Sequence, residues 1–139
     1  MQVSPATHSI LYISRLAPGC EYDTFIAMCR MARARHAATG CTGVLLFDGY
    51  RFCHLLQGPA TAVRALMDEF AADPRHEQPI VLADGAGEDS AAGDGPHCAL
   101  AAGYCEADDL DVFDTPEGLD GAAAVVAFRR AVLHADLLP

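Results

Sequence analysis

The dipeptide Asp48-Gly49 separates two short runs of strand-forming residues, Thr42–Phe47 (TGVLLF) and Arg51–Gln57 (RFCHLLQ). Residues of this type accept the positive φ that a tight turn between antiparallel strands needs, so the segment predicts a hairpin. That hairpin cannot stand alone. Arg51–Gln57 and an earlier run, His8–Ser14 (HSILYIS), are apolar at nearly every position, so a sheet containing them needs cover on both faces. Two helices are available for one face. Over Thr24–Ala38, the residues Phe25, Met28, Cys29, Ala32 and His36 share one side, with Asp23 as the N-cap and Gly40 as the stop. Gly58-Pro59 opens a second helix, turned inward by Val63, Leu66, Met67 and Phe70 and ended by Asp73-Pro74. Pro79–Ala83 (PIVLA) predicts a fourth strand and roughly His97–Tyr104 a fifth. A last helix, about Gly118–Ala135 with Val125, Phe128 and Val132 inward, is left to cover the other face.

The order βαββαβ, with an added strand and a C-terminal helix, predicts an α+β domain built on a ferredoxin-like split sheet. A length of 139 residues suits one such domain. Within it, residues 8–83 form the core, the small acidic segment 84–95 a flexible loop, and 96–139 the C-terminal strand and capping helix. With a net charge of -10 and only nine Lys and Arg, the chain has no basic stripe to displace counterions from phosphates, which argues against nucleic acid and anionic membrane as partners. No apolar run is long enough to span a bilayer and no secretory signal opens the chain, so a cytoplasmic protein is expected. The six cysteines form no CxxC pair and are expected as free, packed thiols.

Strand alternation places Tyr12 on one face with Ile10 and Ser14, and His54 on one face with Phe52 and Leu56. If both faces turn toward the helices, Tyr12 and His54 meet His36. On the residues alone, three buried polar side chains satisfying one another is the simplest outcome. Two imidazoles and a phenol also form a possible metal or haem ligand set, although nothing else in the sequence has metal-motif spacing. Arg35 reads equally as an exposed helix residue or a phosphate contact. No cleft or activated thiol accompanies Cys29, so an enzyme is not expected.

These positions follow a pattern that resembles the BLUF family of flavin-based blue-light sensors. LYIS at Leu11–Ser14 is similar to the family's first strand. ARHAATGCTGVLLFDGYRFCHLLQG, Ala34–Gly58, is similar to A-x-N-x-x-x-G-[IV]-T-G-x-L-L-[YF]…F-x-Q-x-L-E-G, and Asp73, Arg75 and His76 match D-x-R-H. The resemblance implies FAD held between the two helices, with Tyr12 as the photoactive tyrosine. It further implies that Arg75 contacts the flavin and that Asp73 orients it, with His76 in the same matched segment; Arg35, beside His36, is the candidate for a phosphate of that cofactor. The family's asparagine falls on His36, its glutamine on His54, its LEG glutamate on Gln57, and its later tryptophan or methionine positions on Cys98 and Leu100. An amide offers a donor and an acceptor side by side, whereas an imidazole offers them in diverging directions. The resemblance therefore implies a photocycle altered or lost by these two histidines. Three readings stay open: a divergent FAD-binding sensor, a flavin-free interaction module, and a metal- or haem-binding offshoot. With no output domain evident, a separate protein partner or a homodimer is expected to carry the signal.

Overall fold

A computed structural model describes residues 7–21, 23–86, 99–115 and 118–139. At its centre the predicted hairpin forms: β2 (Thr42–Phe47) and β3 (Arg51–Pro59) pair antiparallel from Thr42↔Gln57 to Phe47↔Phe52. Asp48 closes the turn by accepting the backbone N–H groups of Tyr50 and Arg51, while Gly49 takes φ 100°. β1 (Thr7–Leu16) lies antiparallel to the free side of β3, and β4 (His76–Ala86) antiparallel to β1. β5 (Leu100–Tyr104) runs parallel to β2, and the two-residue β6 (Asp136–Leu137) completes the order β4-β1-β3-β2-β5-β6. This is the split α+β sheet expected from the sequence, extended by one short edge strand.

Each face is covered as the apolar strands require. α1 (Thr24–Thr39) and α2 (Ala60–Ala71) bury Phe25, Met28, Cys29, Val63, Leu66 and Phe70 against Ile10, Tyr12, Phe52 and Leu56. On the opposite face α3 (Ala107–Asp111) and α4 (Gly121–His134) bury Leu110, Ala124, Phe128 and Ala131 against Leu11, Ile13, Cys53 and Leu55. Period-two alternation along β1 and β3 separates the two cores, with Tyr12 in one and Cys53 in the other.

Several boundaries differ from the sequence reading. β4 begins at His76 rather than Pro79, and it runs to Ala86, so Asp84 is a strand residue held by Arg64 and His8. Proline is tolerated there because β4 pairs on one side only and its register with β1 shifts twice. The rest of the expected acidic loop, and Cys98, lie outside the described residues. Asp23 occupies the N-cap position but is already helical (φ -67°, ψ -13°) and makes no side-chain cap. α4 turns Ala124, Phe128 and Ala131 inward, and Val125 and Val132 pack only at the edge, because the small alanines let the helix lie close to the sheet. Gly40 does end α1 in the left-handed conformation, φ 72°.

Candidate functional site

Because β1 and β3 are neighbours in register, Tyr12 lies directly opposite His54. Both side chains point toward α1 and α2, where His36 occupies the last turn of α1. The three join in a row. Tyr12 Oη lies 2.9 Å from His54 Nδ1, and His54 Nε2 lies 3.0 Å from His36 Nε2. None is more than 3% exposed.

Burial keeps all three groups of this row neutral. Desolvation holds the Tyr12 phenol well above its ordinary pKa, so it keeps its hydrogen. With the phenol donating to His54 Nδ1, His54 carries its proton on Nε2 and donates to His36 Nε2, and the His36 proton sits on Nδ1; with the opposite tautomers the row runs in reverse. Desolvation also keeps both rings neutral: His36 is pushed down to about 4, and His54 is held well below its ordinary value by burial and by the neighbouring His36 and His76. His36 Nδ1 has no hydrogen-bond partner. Backbone groups of Cys41 and Thr42 lie close enough to favour its charged form slightly, without completing a hydrogen bond.

Phe70 of α2 completes the packing around the pair. Its ring stacks on His36 at 5.9 Å between centroids and meets His54 at 5.0 Å. A second chain of hydrogen bonds pins the end of that helix: Ser14 Oγ donates to His76 Nδ1 at 2.6 Å, and His76 Nε2 donates to the Phe70 carbonyl. The space left between the helices, bounded by Tyr12, Met28, Met31, His54, Phe70, Asp73 and His76, is about 10 Å³. That is room for roughly one water molecule.

The remaining predicted residues are distributed around this centre. Asp73 reaches the slot, and its carboxyl is held below the usual range by hydrogen bonds from Arg75. Arg75 turns its guanidinium onto Asp73, at 2.7 Å for the shortest contact, and does not line the slot. Arg35 lies at the surface, paired with Glu69 across the two helices. Cys29 is buried in the same core, its thiol pushed up to about 11 by desolvation. Leu100, at the start of β5, is fully buried in that core too. Among the described residues no group of three His, Cys, Asp or Glu side chains is placed to hold a metal ion. The imidazoles and phenol that suggested a metal or haem site bond to one another instead.

Two contributors escaped the sequence reading. Gly43 lies within β2, and a Cβ there would come within 2.7 Å of His36 Cε1 and 2.2 Å of the Leu55 carbonyl oxygen. Its missing side chain is what lets the His36 ring press onto the sheet. Phe70 was read only as part of the inward stripe of α2. Its i, i+4 relation to Leu66 signalled burial, but nothing in the spacing signalled a stack on two imidazoles.

Comparison with known proteins places this geometry. The model of the BLUF family, sensors of blue-light using FAD, matches residues 7–90. The chain is 39% identical over 74 residues to the blue light- and temperature-regulated antirepressor BluF of Escherichia coli (strain K12), which covers 53% of this chain and 18% of that protein. It is 31% identical over 78 residues to photoactivated adenylate cyclase subunit beta of Euglena gracilis, covering 55% of this chain and 9% of the cyclase. The chain thus spans less than a fifth of either relative. Its fold is shared end to end with two solved structures, the dark state of the BLUF protein BlrB (TM-score 0.74, 23% identity, 95% of this chain and 98% of that one) and photo-activated BlsA (TM-score 0.76, 17% identity, 96% and 99%). With the family model spanning more than half of its residues, including Tyr12, His36, His54 and the Asp73–His76 segment, this chain belongs to the BLUF family.

Proposed function

We propose that this chain is a small regulatory module of the BLUF family in which the flavin slot is closed by its own side chains, and that it acts by contact with a separate protein or a second copy of itself. The observation that carries the reading is the slot between α1 and α2. Ligand pockets generally offer a few hundred Å³, whereas about 10 Å³ remains here. The polar groups are also spoken for. Tyr12 Oη, both nitrogens of His54 and Nε2 of His36 bond to one another, so a flavin would have to break that row and displace the stacked Phe70. The one nitrogen of the row without a partner, His36 Nδ1, belongs to a ring that does not line the slot, and a single ring nitrogen cannot match a carbonyl and its adjacent ring N–H together. The residues present do not fit FAD, and no photochemical step is derived through it.

The test is the visible absorption of the purified chain after incubation with excess FAD and removal of unbound ligand, before and after blue illumination. The expected result is a colourless protein unchanged by light. Bound flavin with a reversible red shift would overturn the proposal and return the chain to the sensing role of its relatives. The combined variant His36→Asn, His54→Gln, Phe70→Ile is expected to take up FAD. If it does not, these three side chains are not what closes the slot.

A further inference from the structure

A larger space lies on the opposite face of the sheet from Tyr12. It measures about 250 Å³, floored by Val44, Leu55 and Gln57 of the central hairpin and walled by Phe128, Arg129 and Val132 of α4. Almost all of the lining is apolar. Gln57, its one polar floor residue, already uses its amide N–H on Ser9 Oγ at 3.1 Å. The remaining polar group is Arg129, whose Nε is buried and has no hydrogen-bond partner. Among the described residues its guanidinium, like those of Arg30, Arg33 and Arg130, joins no ion pair, and of these four only Arg129 has a buried nitrogen without a partner. The helix that carries it, GAAAVVAFRRAVLH, contains no acidic residue, although the whole chain has a net charge of -10.

A buried donor on a permanent cation is costly to leave unmade, and a carboxylate is the acceptor that matches a guanidinium best. We infer that this cavity binds a small apolar monocarboxylate, its hydrocarbon body against Val44, Leu55, Phe128 and Val132 and its carboxylate on Arg129. An apolar cavity with one oriented polar group is the usual form of a small-ligand site, and this volume suits a ligand at the small end of that range. Leu55 and Gln57 alternate along β3 with His54 and Leu56, so the ligand rests on the back of the strand that carries His54. The assignment stands whether or not the flavin slot is closed.

Octanoate is the probe, titrated calorimetrically into the full chain, with octan-1-ol and acetate as the tail-only and head-only controls. One saturable site is expected for octanoate, with each control binding at least about tenfold more weakly. Arg129→Leu keeps the apolar wall and removes the cation, and it is expected to weaken octanoate by about tenfold or more. Val132→Trp fills the cavity and is expected to abolish binding, with thermal melting used to check that each variant folds. Absence of octanoate binding at millimolar concentration overturns the inference, as does binding that survives Arg129→Leu unchanged or octan-1-ol binding equally well. An acidic amphipathic peptide that docks on α4 while octanoate fails to bind also overturns it, in favour of a protein-docking face that would include the exposed Leu133.

Discussion

Lowering the pH should destabilise this protein well before its carboxylates titrate, and the two buried histidines set the size of the effect. In the unfolded chain a histidine takes up a proton near pH 6.5, whereas His36 in the folded chain resists down to about 4 and His54 is lowered as well. Both folded values are depressed, so the unfolded state binds protons first. Stability is fully present above about pH 6.5 and is lost as pH falls toward the folded values. For His36 alone, moving from 6.5 to about 4 corresponds to roughly 3 kcal/mol, a large share of a typical domain's stability. With His54 titrating in the same window, the slope should approach about 2.7 kcal/mol per pH unit, the value for two protons taken up on unfolding. Urea unfolding from about pH 7 to about pH 4.5 measures this directly, with the midpoint falling and the m-value held. His36→Asn with His54→Gln should flatten the curve over that range. If wild type and double variant lose stability in parallel, the slope comes from other groups and the account of two neutral, desolvated imidazoles is wrong.

Gly43→Ala should cost about 2–3 kcal/mol by urea unfolding, because the new methyl meets the Leu55 carbonyl on one side and the His36 ring on the other. A cost that vanishes in a His36→Ala background would assign the clash to the ring; a cost that persists would assign it to the backbone. Phe70→Ala should destabilise by about 3–5 kcal/mol and, by emptying the stack on His36 and His54, create a cavity detectable by xenon or small aromatic binding. Arg51 is 8% exposed and the side chain of its partner Asp48 is buried, so Arg51→Ala should cost about 3 kcal/mol, mostly by stranding Asp48, because Asp111 is 59% exposed and Asp114 keeps its pair with Arg15. Raising the pH will not rescue that variant, whereas lowering it toward the carboxylate range should narrow the gap to wild type.

The central hairpin, both long helices and the division of faces were legible because each rests on a short-range rule. Asp48-Gly49 made the turn, alternation sorted Tyr12 from Leu11, and one helical stripe brought His36 to the same side as Phe25. The meeting of Tyr12, His54 and His36 followed from those rules once both strands faced the helices. What stayed hidden depends on long-range packing. β4 extends back to His76 because the Ser14 hydroxyl and the Phe70 carbonyl fix its imidazole, and Ser14 lies sixty-two positions away in sequence. Asp73 and Arg75, expected at the ligand, pair locally at the end of α2. α3 and β6 are too short to show periodicity. The Arg51 cluster joins residues more than fifty positions apart, and no motif announces it.

The mutual bond between His36 and His54 makes the two positions interdependent under mutation. Each imidazole is the partner of the other, so replacing either one alone by an apolar side chain strands a buried nitrogen, a penalty of about 1–3 kcal/mol, and loss of His54 also strands the Tyr12 hydroxyl. The stability cost of a change at either position then depends on which side chain stands at the other. That coupling makes Tyr12, His54 and His36 one unit of this core, to be altered as a set.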